Sequence, residues 1–509
     1  MDIVDPPSSS PTTHSVSPSA RLERLPRITR SHRVWIALLS FIYACDWADI
    51  FSLSYAMPAM RQTWQLSTTQ IGAVTSCTFA GMAIGAVLGG RLSDKFGRRP
   101  TLIAGTIVFS VASILSALSP NYEVFIILRT LTGAGLQAVV GVVLVYVTEM
   151  FPRVSRGRYI SLVIGLGSLG MPPMALAARI VVPAGPETWR WVFVFGGIGL
   201  LAVIFVPKLL PESVHWDETN GKTARTDQLV TTLEQHVIAR TGSPLPAPAP
   251  AAPTTPQPMS NLFTARYRRR TVVLCVAMTF FLLGYYGFNN WVPTLLVDRG
   301  LTISAALTVT TVLSASPLAA TLLALPITDR WERKRTCMVL CMLAAAAVTA
   351  FAYTHNYATL VVSGFLTQLF FVTTFQVLYA YLPENFPTAL RGSGAGLANG
   401  VGRAAGIASG FITAAIVTVL GFAGAFGAAA LFSTLAGLII GTFGANTHNR
   451  NLDDVDGHQQ SAVAKSSAAS EPRTLERAAA PATPQHYSEP LDARRGRASD
   501  LGGPPRGTD

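Results

Sequence analysis

Asp46, Asp49, Arg129 and Arg403 each stand inside a run of apolar residues long enough to cross a lipid bilayer. A charge at the centre of a spanning helix costs roughly 2.5–3.5 kcal/mol on insertion scales, so each of the four calls for a partner or a polar cavity. A guanidinium beside a carboxylate favours the ionised form and desolvation favours the protonated one, so a cavity that fills and empties can switch the group. Counted from Val34 at 1.5 Å per residue, Asp49 lies about 22 Å along its run, and Arg129 sits at matching depth in the run that begins near Tyr122. The two are expected to form a proton-coupling pair; a permanently closed salt bridge is the alternative. Asp46 precedes Asp49 by three residues on nearly the same helical face, where it either shares the proton or sits in a watery vestibule without titrating. Arg403, near the midplane of its run, has the planar fork that suits a carboxylate and is the expected anchor of an anionic substrate. Satisfaction by helix carbonyls is its other reading. Tyr285, Tyr286, Asn289, Asn290, Trp291, Gln368 and Gln376 combine aromatic faces with amides and are expected to complete a site for a small ring bearing polar groups. Any one of them alone has an ordinary role as interhelical glue.

The elements that must position these residues are membrane helices. Half of the 509 residues are hydrophobic and only 13% are charged, a bias that ordinary soluble cores do not need. Apolar stretches of about 20 residues recur along the chain, matching a hydrocarbon layer of roughly 30 Å, and about twelve of them are expected. The net charge of +12 does not point to nucleic acid, because the basic residues collect in alternate connections rather than in one patch. Arg21 to Arg33, Arg91 to Arg99, Arg153 to Arg158, Arg266 to Arg270 and Arg330 to Arg335 fall on one side, which the positive-inside rule makes cytoplasmic together with both termini. A plasma-membrane location follows as an expectation. The apolar run after residue 33 is too long for a signal peptide and is read as a retained span. The five cysteines lack metal-ligand spacing and are read as free and structural; no metal or organic cofactor is expected.

The chain is an internal duplication. Glu149 and Glu384, Asp94 and Asp329, Arg156 and Arg391, and Pro58 and Pro293 each stand 235 positions apart. One offset at several landmarks argues for two pseudo-symmetric six-helix halves with a site between them. The expected organisation is a disordered tail over 1–33, a first half over 34–211, a linker over 212–270 with a short helix at Asp227–Arg240, a second half over 271–443 and a disordered tail over 444–509. The fold class is thus an all-α membrane protein of twelve transmembrane helices, working as a single chain.

Gly90-Arg-Leu-Ser-Asp94-Lys-Phe-Gly97-Arg98-Arg99 is similar to the loop signature between the second and third helices of the major facilitator superfamily, and the resemblance covers residues 34 to 443. Its second copy, around Asp329 and Arg333, has Leu325 and Glu332 at the glycine positions. Pro211-Glu212-Ser213 and the two Glu-to-Arg-Gly motifs resemble the sugar-porter and metabolite-symporter branches; Asp46-Trp47-Ala48-Asp49 resembles the aromatic acid/proton symporters. The resemblance implies alternating access driven by a proton gradient, with Asp49 and Arg129 in the coupling role and a small organic acid, aromatic or nicotinate-like, as the substrate. Asp94, Arg98, Arg99, Glu149, Arg156, Asp329, Arg333, Glu384 and Arg391 supply opposite charges at the inner mouth, where they are read as a breakable ionic gate framed by Gly90 and Gly97. A proton-driven exporter is the first alternative, but Gly170-Met171-Pro172-Pro173 matches the exporter signature poorly. A sugar/proton symporter is another, and a non-transporting nutrient sensor a third. An enzyme is not expected: Gly221-Lys222-Thr223 lacks the upstream glycine of a phosphate-binding loop, and no zinc-type His/Glu motif or nucleophile elbow is present.

Overall fold

The computed structural model describes residues 17–152, 155–246, 258–387 and 390–447, without the side chains of Leu325, Pro326, Thr328, Asp329 and Arg330. The expected tail after residue 447 and the first 16 residues lie outside this description.

Short polar caps start the long apolar helices. After α1 (Pro18–Glu23), the Thr29 hydroxyl caps α2 (Arg30–Trp64), and Ser67 with Gln70 forms a capping box on α3 (Thr68–Phe96). Next come α4 (Arg98–Ala117) and α5 (Tyr122–Met150), the latter capped by Asn121. The fifth crossing is α6 (Arg156–Gly167) joined to α7 (Met171–Val181) by a 3₁₀ turn at Ser168–Gly170; the sixth is α8 (Arg190–Gly196) and α9 (Leu200–Leu209), joined the same way at Gly197–Gly199. Two polar helices follow, α10 (Val214–Thr219) and α11 (Thr223–Thr241).

The second half repeats the pattern. Its elements are α12 (Arg268–Asn289), α13 (Val292–Asp298), α14 (Ile303–Ser314), α15 (Ser316–Arg330), α16 (Arg333–Tyr353), α17 (Tyr357–Glu384) and α18 (Arg391–Phe443). The 53 residues of α18 make two crossings, broken at Gly421, whose φ of 62° and ψ of −155° are non-helical. Among the described residues the helices therefore supply twelve crossings, six before the linker and six after it.

Glycines set how closely the helices approach. A side chain at Gly81 or Gly85 of α3 would collide with the backbone of Thr130 or Ala134 on α5, so the two helices pack backbone to backbone. Across the two halves, Gly72 of α3 meets Gly410 of α18 in the same way, and the Ser76 hydroxyl donates to the Ile407 carbonyl at 2.6 Å. These contacts lie toward the end opposite the linker, where Arg61 also pairs with Asp298 and Ser54 donates to the Asn289 carbonyl at 2.9 Å.

The expected tail through residue 33 needs correction. Residues from Ser17 onward are ordered against the linker: Leu22 and Leu25 are buried in one apolar cluster with Val230, Leu233 and Val237 of α11. Arg21 and Arg24 each reach Glu234 at 2.7 Å, and Arg21 also reaches Asp227 at 3.1 Å. Two leucines and three ion pairs hold a segment whose average composition reads as unstructured. The linker helix is correspondingly longer than the expected Asp227–Arg240.

Candidate functional site

Three residues of helix carry two different acid–base neighbourhoods. Asp49 points into the first half. Its Oδ2 accepts from Arg129 Nη2 of α5 at 2.8 Å, and its Oδ1 accepts from the Ser113 hydroxyl of α4. Arg129 donates further to the Ser52 hydroxyl at 3.2 Å and lies 5.0 Å above the Phe193 ring. Both charged side chains are about 1% exposed. Gly196 of α8 closes the pocket, since any side chain there would meet Asp49 and Ser113. The expected partnership of Asp49 and Arg129 is present, entirely within one half.

Asp46 faces the boundary between the halves. Arg403 of α18 is its electrostatic neighbour, and Tyr43 of α2, Tyr286 of α12 and Tyr379 of α17 are electrostatic neighbours of the same guanidinium. Asp46 Oδ1 and Arg403 Nε are both buried, and neither has a hydrogen-bond partner. Such atoms cost free energy unless a ligand or water meets them. Aromatic walls flank the cluster: Phe79 and Tyr286 meet across the boundary at 4.4 Å, and Phe375 stacks on Tyr379 at 4.3 Å. Tyr379 in turn donates to Asn399 Oδ1 at 2.6 Å.

The other expected contacts divide. Tyr285 and Tyr286 lie in or beside the cluster, with Gln368 an electrostatic neighbour of Tyr285 whose Oε1 is buried without a partner. Asn289 spends its amide on the Tyr285 carbonyl, Asn290 accepts from Ser54 through its carbonyl, and Trp291 is packed in the core at the far end of the boundary. Gln376 donates to Thr321 inside the second half. Those four residues are thus not brought to Arg403. Tyr43, Tyr379 and Asn399 are functional candidates that the sequence reading omitted. Their signal is helical spacing: Tyr43 is three residues before Asp46, Tyr379 three after Gln376, and Asn399 four before Arg403.

At the linker end the loop motifs form ion pairs that stay within each half among the described side chains. Arg98 holds Glu149 with two bonds, at 2.7 and 2.9 Å, and Asp94 at 3.2 Å. Ser213 donates to Glu149 at 2.5 Å, and Glu212 accepts from the Arg98 backbone N–H at 2.7 Å. Gly97 has a φ of 106°, and a side chain there would strike Glu212, which is why the motif needs glycine at that position. Gly90 faces open space. Arg99 donates to the Pro207 carbonyl, and Arg156 pairs with Glu23 at 3.1 Å. In the second half Arg333 pairs with Glu384, and Arg391 is exposed at the start of α18; the Asp329 side chain lies outside the described residues. All five cysteines are free.

A partly buried polar cluster walled by both halves of a twelve-crossing helical bundle is the architecture of a membrane transporter. The family model of the Major Facilitator Superfamily matches residues 39–324 and 298–480, and the chain belongs to that superfamily. It is 34% identical to the metabolite transport protein YyaJ of Bacillus subtilis over 86% of this chain and 98% of that one. It is 28% identical to the niacin transporter NiaP of Acinetobacter baylyi over 86% and 99% of the two chains, and 29% identical to the gentisate transporter of Corynebacterium glutamicum over 78% and 84%. Among solved structures, the partially occluded inward-open xylose transporter XylE from E. coli superposes with a TM-score of 0.65 at 17% identity, covering 82% of this chain and all of that one. The protein is a multi-pass membrane transporter of this superfamily.

Proposed function

We propose that the protein imports a small organic acid, an aromatic or nicotinate-like carboxylate, together with protons across the plasma membrane by alternating access. The observation that carries this reading is Arg403: a half-buried guanidinium at the boundary of the halves, its Nε buried and unmet, with three tyrosines as electrostatic neighbours and a carboxylate that has an unmet oxygen of its own. Its fork takes the substrate carboxylate and the tyrosine and phenylalanine faces take the ring. The names of the relatives agree, since niacin, gentisate and gallate are all aromatic carboxylic acids.

Asp46 and Asp49 carry the protons in this reading. Substrate anion arriving at Arg403 competes with Asp46 for the same cation, and a protonated Asp46 removes that competition. Asp49, one turn away and bonded to Arg129, passes the change into the first half. The basic residues collected in alternate connections support a cytoplasmic position for both termini and the linker in this reading. With a monocarboxylate and one proton the cycle moves no net charge. With two protons it gains roughly 2.3 kcal/mol per 100 mV.

The test is uptake of labelled aromatic and aliphatic carboxylates and sugars into proteoliposomes under an inward pH gradient. Gradient-dependent accumulation of an aromatic acid, abolished in Asp49→Asn and reduced about 10- to 100-fold in Arg403→Gln, is the expected result. Efflux on reversing the gradient with no accumulation of any acid would replace import by export.

A further inference from the structure

Not all of the arginines preceding the first crossing are used alike. Arg21 and Arg24 are neutralised by Glu234 and Asp227 on α11. Arg27, Arg30 and Arg33, a few residues on, are exposed and make no ion pair among the described residues. They line a cavity of about 680 Å³ between the start of α2 and the end of α11, and Arg240 and His236 close its other wall. No carboxylate lines that cavity. Four guanidiniums around one space repel one another, and an anion in the middle relieves them all.

Its surroundings favour the same occupant. Thr29 caps α2 from within the cavity wall, the first turn of α2 contains no acidic residue, and the positive end of a 35-residue helix opens there. Val34, which also lines the cavity, begins the apolar run of the first crossing, so the cavity sits at headgroup level. Insertion topology needs basic residues near a span; it does not need a second wall built from the linker helix. That wall is held by the Glu234 pairs and by Leu22 and Leu25.

We propose that Arg27, Arg30, Arg33, Arg240 and His236 form a phosphate-binding site at the junction of the first span and the linker, distinct from the transport site. Phosphate is the chemistry that several guanidiniums recognise by paired N–H donation, and its source is either an anionic phospholipid headgroup or a soluble phosphate. Binding ties α2 to α11.

The full chain in nanodiscs tests both sources. In the first arm, native mass spectrometry counts phosphatidylglycerol and phosphatidylcholine retained from mixed bilayers. In the second, inorganic phosphate and pyrophosphate are titrated against thermal unfolding in phosphatidylcholine discs. The expected result is preferential retention of phosphatidylglycerol, or stabilisation by phosphate, that falls about 5-fold for each arginine removed in Arg30→Gln and Arg240→Gln. Arg158→Gln with Arg225→Gln, equally basic and outside the cavity, should change neither readout, and Arg30→Lys with Arg240→Lys should restore part of the effect. Arg27→Gln alters no helix residue and gives the same readout should the paired glutamine variant not fold. Equal behaviour of the cavity variants, the outside pair and the wild type in both arms overturns the proposal.

Discussion

Asp49 and Asp46 are one helical turn apart, and the molecule treats them oppositely. Asp49 is closed in by Arg129 and Ser113 within a single half, and a glycine on α8 leaves no space beside it. Asp46 looks across the boundary toward Arg403, and an oxygen of one and a nitrogen of the other are left unmet. The difference separates two tasks that sequence spacing merges. A pair satisfied inside one rigid half can store and relay a charge while the halves move. A pair that spans the boundary is remade in every conformational change, and is therefore the place where a substrate can intervene.

The comparison breaks most readily at Arg129. Arg129→Gln leaves Asp49 buried without its cation and is expected to cost about 3–5 kcal/mol in thermal unfolding of the purified protein. Adding Asp49→Asn should return most of that loss; a single variant no less stable than the double would show that the pair is not the closed unit described here. Arg403→Gln should behave otherwise, staying within about 1 kcal/mol of the wild type because its partner is already incompletely met, while the thermal shift produced by added aromatic acid disappears. Equal destabilisation by the two arginine variants would erase the distinction between relay and recognition.

A third carboxylate sets the scale outside the membrane. Burial pushes the Glu234 carboxyl up, but hydrogen bonds and charge from Arg21 and Arg24 outweigh it and hold the group below its ordinary value. A lowered folded value means that the clamp stabilises α1 above the ordinary glutamate range, near about 4.3, and is lost as pH falls through that lowered value. Protection factors of residues 17–25, taken against the intrinsic amide rate at each pH, should therefore be high at pH 7 and fall in acid, and Glu234→Gln should lower them at neutral pH by no more than about 5-fold per pair lost. Protection factors unaffected by pH and by the substitution would assign the docking of α1 to Leu22 and Leu25 alone.

Much of this was legible in the residues. Apolar run lengths and the repeated offset between Asp94 and Asp329 point to twelve crossings, and depth counting along two helices brings Asp49 to Arg129. Depth does not give azimuth, however. Asn289 ends the right helix and Asn290 and Trp291 lie just past it, toward the end where the halves meet, and Gln376 turns to Thr321 within its own half. Tyr43, Tyr379 and Asn399 were accessible from i, i+3 and i, i+4 spacing but have no charge to draw attention. The docking of α1 was hidden because composition averages over a tail, whereas Leu22, Leu25, Arg21 and Arg24 act individually. Nor does a motif say which of its charges will meet: Arg98 and Glu149 pair inside one half, with Glu212 as backbone cap.

The single non-helical residue at Gly421 has a bearing on how this sequence can change. With no loop between the eleventh and twelfth crossings, the rotational phase of the last helix is inherited directly from the one before it. Inserting or deleting one residue beside Gly421 would turn the final crossing by about 100°, carrying Ser433 away from the Cys341 carbonyl it meets at 3.0 Å and Gly437 away from its seat on α16. Connections elsewhere can absorb length variation; this one converts length into misorientation, so drift at that corner is confined to substitution.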